Sequence, residues 1–390
     1  MNISILQIEI RTKYIQDNMY LIVGCGLSGA VLAERIANVL HEDVLIIEKS
    51  DHIAGNCYDY IDVETGILCC KYGAHLFHTN NEDVWSYISS FDKWIRWEHK
   101  VLSFVDDKYV SIPINITTVN ELCGQHLQTP EEMQEWLDKN QVKYTETVKN
   151  SEEMALSRVG RELYNKMIKE YTYKQWSKFP HELDKSVLAR IPIRDNFDTR
   201  YFSDKYQALP EKGYTHFVSK LIDHPLITYK LNTDFNDFRK TNDLSKYKKI
   251  IYTGPIDRYF ETDEKLEYRS IKFIQEVHRN TRYYQQNSVV NYPEPEHPFT
   301  RIVEYKHFLN QTSPHTIIFK EITNDVGDPY YPVPTKRNQD LYERYKQMAE
   351  KETNVIFVGR LANYKYFNMD EAISNALDVF DKCVKHVDVF

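Results

Sequence analysis

The chain has 390 residues, of which 57 are acidic and 49 basic, giving a formal net charge of −8. That length exceeds what one hydrophobic core organises and implies two or three domains at ~100–200 residues each, while 42% hydrophobic and 27% charged residues exclude wholesale disorder. The acidic balance argues against a nucleic-acid or anionic-membrane partner, no apolar run reaches the ~20 residues that span a bilayer, and six cysteines without CxxC or zinc spacing read as reduced intracellular thiols with no metal site.

Residues 1–18 mix charges into their apolar stretch, lack the h-region of a secretory signal, and read as an N-terminal extension, with Met19 a conceivable alternative start. A cytoplasmic protein is expected. The first strong pattern follows: the apolar run Met19–Val23, the glycine turn GCGLSG, a helical rhythm through Val31, Leu32, Arg35, Ile36 and Val39, then the β-branched VLII ending at Glu48. This is the sequence form of a βαβ unit.

Gly24, Gly26 and Gly29 make GxGxxG in the context that gives the motif meaning. The first glycine permits the tight turn, the second lets a pyrophosphate approach the backbone, and the third lets helix and strand pack closely. The phosphates then meet the free N–H groups and positive dipole of a helix N-terminus. Glu48, nineteen residues past Gly29, stands where a carboxylate accepts from ribose hydroxyls, which favours FAD or NAD over NADP. The turn Asp51–Asn56 (DHIAGN) continues that strand as flavoproteins do, so FAD is the favoured dinucleotide; a plain surface turn is the alternative.

Thr129-Pro130-Glu131-Glu132 combines an N-cap, proline at the first helical position and an acid at the third. Asn150 with Glu153 repeats the signal, and Leu156, Val159, Leu163 and Met167 fall on one helical face. Beyond about residue 200 the pattern turns to strands: 300–308 and 315–322 flank a polar loop and predict an antiparallel pair. Residues 355–360 (VIFVGR) read as a short strand, and Asp370 onward as a helix. Most of the 29 tyrosines are expected to pack internally, a few to line a polar ligand site beside arginines.

The segments DHIAGN (51–56), KYGAHLFHT (71–79), YTYKQW (171–176), ARIPIR (189–194), YF (201–202), YTGPID (252–257), LEYRS (266–270), VVNY (289–292), TRIVEYKHF (300–308), PYYPVP (329–334) and GRLANYKYFNMD (359–370) run in order through nearly the whole chain. With them the sequence resembles the UDP-galactopyranose mutases of the bacterial type. The resemblance implies an α/β fold: a Rossmann-like FAD-binding domain (19–100 and 351–390), an inserted, mostly helical domain (101–190) with a mobile loop near 171–180, and an interleaved antiparallel β-sheet substrate domain (191–350). It implies an isomerase that interconverts UDP-galactopyranose and UDP-galactofuranose by covalent catalysis at N5 of reduced FAD, acting on a small nucleotide sugar as a homodimer.

Residue by residue, the resemblance assigns Arg190 and Arg301 to the substrate diphosphate, a role suited to a planar guanidinium that stays charged. Tyr331 and Tyr366 would bind the same phosphates, and Tyr201, Asn291 and His99 other parts of the substrate. Tyr171, Thr172 and Trp176 match the uridine end; the polar neighbours Lys174, Gln175, Ser177 and Lys178 favour an exposed or gated Trp176. Cofactor contacts are implied for Gly24, Gly26, Ser28, Gly29, Glu48, Lys49, Gly55, Asn56, His75, Leu76, Arg360, Met369 and Asp370. His75 also counts as a catalytic candidate beside the flavin, whereas His78 is left open. Two positions depart from the family: Asn368, in the substrate set, replaces an aspartate, and Ala54 replaces a common glycine, which matters only if that position needs positive φ. An FAD-dependent oxidase or dehydrogenase of the amine-oxidase kind, or an inactive flavin-binding homologue, is the competing expectation.

Overall fold

Tyr20–Val23 is the central strand of a five-stranded parallel sheet, in the order Ile227–Lys230, Val44–Ile47, Tyr20–Val23, Lys249–Tyr252, Val355–Phe357. The computed structural model describes residues 18–189 and 191–385. Both faces of this sheet are covered, which explains the uninterrupted apolar runs. Tyr20, Ile22, Val44 and Ile46 point into one core, with Val31, Leu32 and Ile36 of the following helix. Leu21, Val23, Leu45 and Ile47 point the other way, onto Phe235 and Phe238. The helix Leu27–Arg35 crosses between the first two strands, and the helix Met369–Val379 lies against it.

A second sheet has seven strands, ordered Tyr331–Pro332, Tyr268–His278, Thr316–Asn324, Arg301–Glu304, Val289–Asn291, Val101–Val105 and Lys108–Ile112. It is antiparallel except where Val289–Asn291 runs parallel to Val101–Val105. Of the expected strand 300–308, Arg301–Glu304 joins the sheet and Tyr305–Asn310 turns into a 3₁₀ segment. Its cross-strand register puts Asn291 opposite Arg301, and Arg301 opposite Glu321.

The helical region is shorter than expected, because Val101–Ile112 forms a hairpin in this sheet. It comprises Ile116–Cys123, Pro130–Asn140, Ser151–Leu163 and Glu170–Trp176, with smaller turns. Thr129 and Asn150 cap their helices as their spacing predicts, accepting from the N–H groups of Glu132 and Glu153. Leu156, Val159, Leu163 and Met167 are buried together as one face. That helix is interrupted at Gly160 (φ +76°), which lies so close to the preceding helix that a Cβ there would sit 2.3 Å from the Asn140 carbonyl oxygen.

The segment near 171–180 is mostly helix. Glu170–Trp176 is helical, and Trp176 is buried in the core of the helical region beside Leu183, Val187 and Val333. The expected exposure is therefore corrected: in this conformation Trp176 is a core residue. The reason is that the helix end is tied down: Arg269 donates to the Gln175 carbonyl at 3.0 Å, and Thr323 donates to that of Lys174. Tyr173, by contrast, is exposed and stacks on Phe179. Among the described residues no helix is long and apolar enough to cross a membrane.

Candidate active site

The carboxyl ends of the strands Tyr20–Val23 and Lys249–Tyr252 bound the point where strand order reverses, the usual place for a ligand crevice in such sheets. Thr253 closes the bottom by donating to the Val23 carbonyl at 2.7 Å. The glycine turn sits directly above. A Cβ on Gly29 would lie 2.0 Å from the Gly24 carbonyl oxygen, so helix and turn can approach this closely only without a side chain. Among the described residues no side chain caps the helix that begins at Leu27, which leaves its first-turn N–H groups for an anion.

Glu48 is buried at the end of its strand, and its two oxygens accept from the N–H groups of Cys25 and Ser50, both at 2.8 Å. Those bonds fix the carboxylate with acceptor capacity to spare. A groove of about 1470 Å³, including the part open to solvent, is lined by Glu48 together with Ser28, Lys49, Gly55, Asn56, His75, Arg360, Asn368 and Met369. Lys49 reaches across the groove mouth to Asp328, 2.6 Å away. The bare glycine turn, the open helix end and the buried ribose-height carboxylate fit an adenine dinucleotide. Asp370, on the helix that starts at Met369, has one buried carboxylate oxygen without a partner among the described residues. The thiols of Cys25, buried in the glycine turn, and Cys57, in the groove wall, are pushed up to about 12 by burial, so neither is a nucleophile at neutral pH.

Ala54 begins the turn Gly55–Cys57 in the left-handed region (φ +72°, ψ 0°) and is fully buried. The departure from glycine therefore matters. A left-handed L-residue costs about 1–2 kcal/mol, partly offset by the roughly 0.5–1 kcal/mol of extra entropy glycine loses on folding. Ala54→Gly should accordingly stabilise the protein by about 0.5–1 kcal/mol, seen as a higher denaturant midpoint at unchanged slope; a lower midpoint would contradict this.

The far end of the groove opens onto a second cluster. His75 donates from Nδ1 to the Gly73 carbonyl at 2.8 Å, and burial, with the positive charges of Arg360 and Arg301, lowers it to about 4. It is thus neutral at pH 7, with Nε2 left as an acceptor. A Cβ on Gly73 would lie 3.2 Å from Glu321 Oε1 and 3.7 Å from Arg301 Nη2, so this loop lies against the pair of guanidinium and carboxylate. Arg301 Nε donates to Glu321 Oε2 at 2.6 Å, across the register noted above. Burial opposes the arginine's charge, but Glu321 outweighs it, and the guanidinium stays protonated well above its usual range. Its Nη groups have no hydrogen-bond partner among the described residues.

Tyrosines surround this charge. Tyr331 and Tyr366 stack with ring centres 5.4 Å apart, and the Arg360 guanidinium lies over both, at 5.8 and 5.2 Å. Arg360 is steadied by the Phe367 carbonyl. Burial pushes the Tyr331 hydroxyl up to about 12 and Tyr171 higher, with Arg301 near enough to pull both back. Tyr201 belongs to the same electrostatic neighbourhood. Its ring meets His99 edge-on at 5.8 Å, and His99, buried near Arg301 and His78, is lowered to about 3.

Of the residues expected at a site, the groove and this cluster bring together all but a few. Thr172 is buried on the helix carrying Tyr171, and Asn291 is the cross-strand neighbour of Arg301. Leu76, just before the strand Phe77–Thr79, packs on the central core rather than lining the groove. His78 resolves as a structural residue, paired with Asp204 at 2.9 Å and stacked on Phe202 at 3.6 Å. Arg190 lies outside the described residues. The sequence reading missed Glu321, whose one signal was an acid inside the apolar run HTIIFKEI, and Thr253 at the strand switch point.

Comparison with known proteins places these features. A family profile described as UDP-galactopyranose mutase matches residues 166–366, and a NAD(P)-binding Rossmann-like profile matches residues 22–91. The chain is 35% identical over 372 residues to a probable UDP-galactopyranose mutase of Klebsiella pneumoniae, covering 94% of this chain and 95% of the relative. It is 33% identical over 376 residues to a dTDP-fucopyranose mutase of Escherichia coli, covering 95% and 99%. A crystal structure of reduced UDP-galactopyranose mutase superposes with a TM-score of 0.74 at 18% identity, over 95% of each chain. A putative protoporphyrinogen oxidase from Exiguobacterium shares the fold with a TM-score of 0.66 at 13% identity, over 94% of this chain and 99% of that one. The glycine-turn groove, the arginine and tyrosine cluster beside it and these likenesses along the whole chain have one reading: this protein belongs to the UDP-galactopyranose mutase family.

Proposed function

We propose that this chain interconverts UDP-galactopyranose and UDP-galactofuranose with reduced FAD held in the glycine-turn groove. One observation carries the reading: His75 and Arg360 line the groove, and the same two residues border the cluster of Arg301, Tyr331 and Tyr366. A redox-active ring at the end of the groove would therefore face a sugar whose diphosphate is held by the cluster. Reduced FAD, when bound, supplies a nucleophilic nitrogen that lets one difficult displacement proceed in easier steps.

The protein's own residues do the rest. Arg301, anchored through Nε, keeps its remaining N–H donors for the diphosphate and stabilises the negative charge that gathers there as the nucleotide leaves. Tyr331 and Tyr366 add neutral donors without overcharging the pocket. Arg360, between groove and cluster, contributes positive charge to both. His75 and His99, held neutral, avoid repulsion with the two arginines. Glu48 holds the cofactor ribose, and the first turn of the helix beginning at Leu27 holds its pyrophosphate.

The identity with the dTDP-fucopyranose mutase supports a second substrate of the same class, a dTDP-6-deoxyhexose. Anaerobic incubation with dithionite and either UDP-galactofuranose or dTDP-fucofuranose tests both. The proposal expects UDP-galactopyranose to form only when the flavin is reduced, with no electron acceptor consumed. Preferential turnover of the dTDP-sugar would move the assignment to the second substrate; no conversion of either, or conversion that consumes an oxidant, would overturn it.

A further inference from the structure

A lysine ammonium that turns inward normally meets an acid. Lys174 does not. Its Nζ donates to the backbone carbonyls of Glu294 at 2.8 Å, His297 at 3.1 Å and Phe299 at 3.2 Å, and to that of Tyr292. No carboxylate lies within ion-pair distance of it among the described residues. Burial lowers this ammonium to about 8, opposed by the more distant charges of Glu296, Glu170 and Glu294.

All four carbonyls belong to one loop, residues 292–300, which joins the strands Val289–Asn291 and Arg301–Glu304. Three of its residues are prolines, at 293, 295 and 298, so it has few N–H groups with which to satisfy its own carbonyls; of the four, only that of Glu294 also accepts from within the loop, from the His297 N–H at 3.3 Å, among the described residues. The ammonium takes that role, spreading three donors over four acceptors. The loop's two ends are Asn291 and Arg301, which face each other across the hairpin. Lys174 sits three residues beyond Tyr171 and two beyond Thr172, on a single short helix. Thus one side chain joins the helix of the expected nucleoside end to the hairpin of the diphosphate arginine.

We propose that Lys174 is a positioning residue: its ammonium, caged by the four carbonyls of loop 292–300, fixes the spacing between Tyr171 and Thr172 on one side and Asn291 and Arg301 on the other, and so shapes the nucleotide-sugar site. The inference rests on the function proposed above, but its physical core, the cage, is testable without turnover. Acetic anhydride applied to the wild-type, flavin-loaded protein, followed by peptide mass mapping, should modify Lys169 and Lys178 well before Lys174; modification of Lys174 at the same rate would overturn the cage. In the flavin-loaded Lys174→Ala variant the KM for the nucleotide sugar should rise about 10–100-fold, as expected for losing charged hydrogen bonds, with a smaller change in kcat. Ammonium chloride should enter the vacated cage and recover most of that KM, whereas sodium chloride at equal ionic strength should not. A wild-type KM in this variant, or a raised KM that ammonium leaves unchanged, would reduce Lys174 to a structural role. If the wild-type protein turns over no nucleotide sugar yet protects Lys174 from acetylation, the functional reading fails and the cage stands.

Discussion

Replacing Arg301 with alanine should lower kcat/KM by about two to four decades, the equivalent of roughly 2–5 kcal/mol for one buried, charge-assisted phosphate contact. Flavin absorbance and stoichiometry should stay at wild-type values. The size of the effect follows from the arginine's setting. Glu321 faces it across the sheet and accepts from Nε at 2.6 Å, so the guanidinium is held in one orientation before substrate arrives. In a partly buried site the remaining N–H donors act with little competition from water. Arg301→Lys keeps the charge but loses the planar fork and its anchor, and should recover only part of the loss. Anaerobic steady-state kinetics on both variants decides the matter. Turnover within tenfold of wild type in Arg301→Ala would remove this residue from the substrate site, and loss of flavin would assign it to the cofactor.

Gly29→Ala should have an effect as large on the other half of the site. The added methyl would sit 2.0 Å from the Gly24 carbonyl oxygen, a backbone atom that yields only if the whole turn moves. Moving that turn displaces the N–H groups proposed to meet the pyrophosphate, and a misplacement of ~1 Å in such a cradle costs on the order of 100-fold. The variant should purify with little bound flavin while retaining wild-type far-ultraviolet dichroism, and titration with FAD should give an affinity weaker by about two decades or more. A protein that purifies with full flavin occupancy would contradict this placement of the dinucleotide.

These two residues also mark what could be read directly from the chain. Gly29 was legible because every partner of the motif is local: strand, turn, helix and Glu48 lie within thirty residues, and each glycine has a steric reason. The helices capped by Thr129 and Asn150 were legible for the same reason. Arg301 could be singled out, but its anchor could not, since the pairing with Glu321 depends on sheet register that no short pattern encodes. Trp176 misled for a physical cause. Its neighbours Lys174 and Gln175 suggest a solvated segment, yet Lys174 turns inward to a set of carbonyls whose positions only the folded loop defines. The hairpin Val101–Ile112 was likewise hidden, because its place beside Val289–Asn291 joins residues nearly two hundred positions apart. Ala54 could be identified as a departure from glycine, but its positive φ became visible only in the structure.

The most direct test of the account is a crystal structure of the flavin-loaded protein with UDP bound. The account predicts the diphosphate within hydrogen-bonding distance of the Arg301 guanidinium and flanked by Tyr331 and Tyr366, with the uracil toward Tyr171 and Thr172. A diphosphate lying away from Arg301, or occupying the glycine-turn groove in place of the flavin, would contradict it.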